Sequence, residues 1–167
     1  MDEEKLADKK IKHLKAEKLV VRKLYEEQAT LHNLPKFEDI EKFGIYYSQL
    51  RAEEDIIRSV LWRFLQVLGN ILNQLNAYLI PPQQTIKGII EADHFDEEKK
   101  KELNKKFYEY EAIYEKIFLE AYIKNSKEGQ IKLLKESFPK IKKAVEYLQN
   151  LKEELIKVWE EGPKDEE

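Results

Sequence analysis

Cysteine is absent from all 167 residues, which excludes a disulfide scaffold, a thiol nucleophile and any cysteine-ligated zinc or iron–sulfur centre. Glycine is nearly as sparse: Gly44, Gly69, Gly88, Gly129 and Gly162 stand far apart. A phosphate-cradling loop needs clustered glycines to bring several backbone amides close to its ligand. P-loop and dinucleotide-binding sites are therefore excluded, as is a Gly-x-Ser-x-Gly nucleophile elbow. The histidines, His13, His32 and His94, never fall within a helical turn of one another, so no His-x-x-x-His zinc helix exists. Strand signals are missing too, with no alternating Val/Ile/Thr run and no Asn-Gly or Asp-Gly turn.

Charge of one sign is also lacking. Thirty basic residues face 33 acidic ones, a net of −3, which gives no overall pull towards nucleic acid or anionic lipid. The opening MDEEKLADKK has no apolar signal-peptide core behind it. Val60 to Ile80 is the most apolar stretch, yet it carries Arg63, Gln66, Asn70, Asn73, Gln74 and Asn76, a polar load foreign to a lone membrane helix. A soluble, cytoplasmic protein is expected. Dense Lys and Glu without cysteine also fit a hot-growing source, where ion-pair networks gain in value.

What is present is helical periodicity. A first helix is expected from Glu3 to Leu31, with Ile11, Leu14, Val21 and Tyr25 on one face and a stop at His32-Asn33-Leu34-Pro35. A second helical stretch runs from Phe37 to Ile80, kinked or split at Gly44 and ended by Pro81-Pro82. Its leucines at 61, 65, 68, 72, 75 and 79 repeat a 4-3-4-3-4 spacing, the seam of a helix packed along its neighbours. A short helical piece from Thr85 to Ala92 follows, and Asp96 is placed to cap a third long helix reaching Asn125. That helix has its own seam at Leu103, Phe107, Tyr110, Tyr114, Ile117 and Ala121. A brief segment, Ile131 to Lys135, then precedes a helix start at Ser137-Phe138-Pro139, and the last long helix packs through Ala144, Leu148, Leu151, Leu155 and Val158 before stopping at Gly162-Pro163. The expected architecture is all-α: one domain over residues 1–167, an antiparallel bundle of four long helices with two short inserts.

Function is harder to extract. Glu91-Ala92-Asp93-His94 matches the Glu-x-x-His element of di-iron bundles, whose ligands share a helix face. Such a site needs two copies plus further glutamates, and this chain has one. Glu91 and His94 are accordingly read as a charged cap region; no cofactor, metal or small molecule is implied.

Two surfaces carry more information. Between Ser59 and Ile86 the only charged side chain is Arg63. Opposite the leucine seam, Ser59, Arg63, Gln66, Asn70 and Asn73 recur with Trp62 beside them. A freely solvated face in this composition would carry Lys and Glu, so this stripe is either an internal hydrogen-bonded layer or a contact surface. The second surface is the basic face of the first helix, where Lys9, Lys12, Lys15, Arg22 and Lys23 fall opposite the apolar side and are able to neutralise phosphates. The sequence thus points to a non-catalytic protein acting through association with itself or a protein partner. The alternative is an accessory subunit binding nucleic acid through the first helix.

Overall fold

A computed structural model of the protein describes residues 19–50, 55–80 and 86–161. Helices account for nearly all of them, with no strand among the described residues, so the fold is all-α. We label the helices α1 (19–32), α2 (Phe37–Glu41), α3 (Ile56–Leu79), α4 (Ile86–His94), α5 (Glu97–Phe118) and α6 (Lys127–Glu161), with a 3-10 turn at Tyr47–Gln49. A π-helical turn, Leu119–Lys124, extends α5.

Local chemistry explains most helix ends. α1 closes at Asn33, whose φ of 51° is the left-handed conformation asparagine tolerates; Leu34 N–H then reaches back to the Ala29 carbonyl at 2.9 Å. Gly44, at φ 77°, turns the chain after α2, so the expected second helix is split there. Asp55 caps α3 by accepting from Ile57 N–H at 3.0 Å. Asp96 caps α5 as its position predicts, accepting from Lys99 N–H at 2.7 Å, with Glu97 and Glu98 in the first turn.

Two boundaries differ from the sequence-based reading. The third long helix stops being α-helical at Phe118, and its last six residues widen into the π turn, which ends at Asn125 with φ 50°. The expected break before Ser137-Phe138-Pro139 does not exist. Residues Lys127 to Glu161 form one 35-residue helix with Pro139 inside it. Ser137 Oγ donates to the Leu133 carbonyl at 2.7 Å, and the buried positions Leu134, Ser137, Ile141 and Ala144 keep one face packed straight through the proline. Burial of that face outweighs the local cost of the missing N–H.

Contacts group the chain into two compact units. The first comprises Met1–Phe64 with Ile117–Phe138, and the second Leu65–Lys116 with Pro139–Glu167. In the first, Tyr25 is fully buried, stands edge-on to Phe37 at 5.2 Å and donates its hydroxyl to the Pro35 carbonyl at 2.8 Å. Ile57, Val60, Leu61 and Phe64 of α3 join this core with Ile117, Ala121 and Leu134. Beside it, the π turn lays Glu120 against Gly129 in the first turn of α6. A Cβ on Gly129 would lie 1.6 Å from a Glu120 carboxylate oxygen, so a larger residue there would displace the end of the Glu120 side chain.

In the second unit the expected α3 seam is buried at Leu65, Leu68, Leu72 and Leu75, and Ile71 and Tyr78 widen it. α5 contributes Leu103, Tyr110 and Ile113; α6 contributes Ile141, Ala144, Leu148, Leu151 and Leu155. Tyr110 and Tyr147 meet edge-on at 6.3 Å, with the Lys106 ammonium 5.9 and 5.8 Å from their ring centres. Burial pushes both phenols well above their ordinary range, and nearby carboxylates, Glu109 at Tyr110 and Glu102 at Tyr147, push the same way.

That shift has a measurable consequence. Above a pH of about 10 the unfolded chain releases these two protons while the folded chain keeps them. Stability is therefore expected to be complete below that pH and to fall as pH rises past it. In an absorbance titration at 295 nm, Tyr110 and Tyr147 should ionise only together with unfolding. Replacing both with phenylalanine should flatten the alkaline decline; an unchanged decline would count against the assignment.

Candidate interaction surface

The candidate stripe on α3 is not an internal layer. Gln66, Asn70 and Asn73, all in the second unit, are exposed, as is Asn76. No side-chain hydrogen bond among the described residues involves Asn70, Asn73 or Asn76. Two members of the stripe are withdrawn from any contact role. Ser59 is buried, and Arg63 is half-buried and engaged by its own chain, its Nε donating to the Gln49 carbonyl at 2.9 Å with Nη2 sharing the same acceptor. Ser59 shares the stripe's helical angle, but α3 is enclosed on more sides at its N-terminal end than further along.

Trp62, in the first unit, is 42% exposed and does not stand alone. Its ring meets Tyr122 of the π turn edge-on, 5.4 Å between centroids. Tyr122 in turn stacks on Phe118 at 5.4 Å and 24°, and the Arg58 guanidinium lies 5.2 Å from the Tyr122 ring centre. Asp55, Arg58, Trp62 and Tyr122 line an open cleft of about 370 Å³. Around it Phe118, Leu119 and Ile123 are exposed, Ile123 by 66%.

The π turn makes this cluster. Six residues in a wider turn shift the side chains that follow out of α-helical register, which brings Tyr122 to α3 and leaves Leu119 and Ile123 outward. The turn is fixed at its C-terminal end. Asn125 N–H donates to the Glu120 carbonyl at 3.0 Å, and Asn125 Oδ1 accepts from Gln130 Nε2, also at 3.0 Å. Sequence reasoning found Trp62 through the missing charge around it. It missed Tyr122, Phe118 and Arg58, because nothing local announces that residues sixty positions apart will touch.

Trp, Tyr and Arg, the residue types gathered here, dominate the residues on which interface binding energy concentrates, and ring–ring contacts within the cluster restrain the side chains. Among the described residues no carboxylate pair, nucleophile–base pair or ligand set converges in the cleft.

The remaining candidates are dispersed. Lys9, Lys12 and Lys15 lie outside the described residues. Arg22 and Lys23 are exposed on α1, but each faces a glutamate: Arg22 pairs with Glu26 at 2.7 Å and approaches Glu38 at 3.9 Å, while Lys23 approaches Glu27 at 3.9 Å. Glu91 and His94 turn to different residues of α6 in the second unit. Glu91 Oε1 accepts from Trp159 Nε1 at 3.3 Å and lies 3.7 Å from Lys87 Nζ; His94 Nε2 sits 3.1 Å from Glu154 Oε1. Among the described residues no three His, Asp or Glu side chains are grouped to hold a metal ion, and no helix is long and apolar enough to cross a membrane. No family model, no curated protein and no solved structure matches the chain.

Proposed function

We propose that the protein acts without catalysis, by binding another protein through the surface centred on Trp62. The observation that supports this reading is the exposed aromatic group Trp62–Tyr122–Phe118 with Leu119 and Ile123 at its edge. A chain that is 38% charged has ample Lys and Glu to solvate a free surface, and places apolar rings here instead. Exposed apolar groups gathered in one patch are a cost in isolation and a gain once covered. The uncharged amides Gln66, Asn70 and Asn73 further along α3 are of the same character: they desolvate more cheaply than charges and offer both donors and acceptors.

A photo-crosslinking amino acid at position 62 tests the reading in cells that make the protein. Irradiation is expected to yield discrete protein adducts, identified by mass spectrometry, that the same residue at exposed Lys135 does not give. Adducts with nucleic acid or lipid, or none, would overturn it. A Trp62→Glu change should lower the yield from a crosslinker at Ile123 by about tenfold, the scale of an interface hot spot.

A further inference from the structure

We propose that a second copy of this chain docks on the outer face of the last turns of α6, antiparallel, about a two-fold axis at Ile156. The inference concerns the second unit alone and does not rest on the Trp62 surface.

Ile156 and Trp159 are 53% and 44% exposed on α6. They border a groove of about 450 Å³ whose floor is Ala77, Tyr78 and Leu155. Trp159 is already anchored by its indole N–H to Glu91, so little side-chain freedom remains to be lost on binding. A large, fixed apolar side chain beside an open groove is the anchor-and-pocket arrangement of protein interfaces.

Charge selects the occupant. Lys152, Glu153, Lys157 and Glu160 flank Ile156, and all four are exposed. None of them forms an ion pair with a described residue, although Glu153 and Lys157 stand four positions apart, the separation at which Lys142 pairs with Glu146 at 3.8 Å nearer the middle of the helix. The face is neutral, which gives no attraction to a polyanion. Its order, Lys-Glu-Ile-Lys-Glu, complements its own reverse. At about 1.5 Å per residue, Lys152 and Glu160 each lie ~6 Å from Ile156 in opposite directions. A two-fold axis there sets each Lys152 level with the other copy's Glu160, and brings Glu153 within about one helical step or two of Lys157. A parallel arrangement would set lysine against lysine. Isologous two-fold contacts use one patch twice, and this patch meets that requirement.

The purified full-length chain, followed by light scattering on a sizing column across a concentration series, provides the test. The expected mass is twice the 20.0 kDa of one chain. Lys152→Glu and Glu160→Lys should each weaken the dimer about tenfold, and the double reversal should restore it. Both side chains are exposed, so the helical circular dichroism and melting of every variant should match the parent. A monomer at all concentrations, single reversals without effect, or a double variant no better than the singles would overturn the proposal. Loss of the dimer with Trp62→Glu but not with the reversals would also overturn it, while supporting the Trp62 reading. A dimer that responds to the reversals and ignores Trp62→Glu supports the α6 contact by itself.

Discussion

Tyr25→Ala is expected to cost about 3–5 kcal/mol, the range for emptying an aromatic site in a packed core. The residue is fully buried, stands edge-on to Phe37, and its hydroxyl is the donor to Pro35. Three losses therefore coincide: the buried ring area, the edge-to-face contact with Phe37, and the hydrogen bond that ties the end of α1 to the start of α2. Tyr25→Phe separates them. It keeps the ring and removes only the hydroxyl, and should cost about 1 kcal/mol. Urea unfolding followed by circular dichroism measures both. If the two variants were equally destabilised, the hydroxyl would be the dominant contribution and the packing account of this core would be wrong.

Pro139→Ala is expected to work in the opposite direction, stabilising the protein by about 2 kcal/mol. Proline in a helix interior costs ~3 kcal/mol relative to alanine, because it offers no N–H to the carbonyl four residues back and its ring crowds that carbonyl. Part of this is offset because proline also restrains the unfolded chain, by ~0.4–1 kcal/mol. The side chain is exposed, so alanine loses little packing. Lys140→Ala, one position on and also exposed, is the control and should change stability by under about 0.5 kcal/mol. A Pro139→Ala variant that melts below the parent would mean that proline at this point is required for the packing of α6.

Pro139 also marks where reading the sequence and the folded chain part company. A serine, an aromatic and a proline in succession are an ordinary helix start, and nothing within that window distinguishes a start from an interrupted interior. The decision lies in Leu134, Ser137, Ile141 and Ala144, which are buried along one side. Their spacing holds a single helical face across the proline only if neighbouring helices are there to receive it. Gly44 is a milder case: the sequence left a kink or a split open there, and the positive φ decides for the split.

The candidate surface divides in the same way. Trp62, Gln66, Asn70 and Asn73 stood out because charge is missing where this composition would supply it, and their outward placement removes the internal-layer alternative. Ser59 and Arg63 share the stripe's helical angle but face protein. Helical angle fixes which residues share a side, and only the neighbours determine whether that side is covered. Tyr122, Phe118 and Arg58, which turn an isolated tryptophan into a rigid cluster, came from outside the stripe altogether. Of the basic face expected on the first helix, the described members Arg22 and Lys23 lie beside Glu26, Glu27 and Glu38, and Glu38 belongs to another helix.

By itself the sequence determined the all-helical class, the C-terminal end of α1 and the start of α5, the buried leucine seam of α3, and the absence of thiol and glycine-loop chemistry. Each of these follows from composition or from forces acting within a turn or two of helix: caps, proline, left-handed asparagine and the 3.6-residue period. Only the tertiary structure decided that α6 continues through Pro139, that α5 widens into a π turn, and that Trp62 meets Tyr122. Those outcomes weigh a local cost against burial by residues distant in the chain, and the second quantity does not exist until the helices pack.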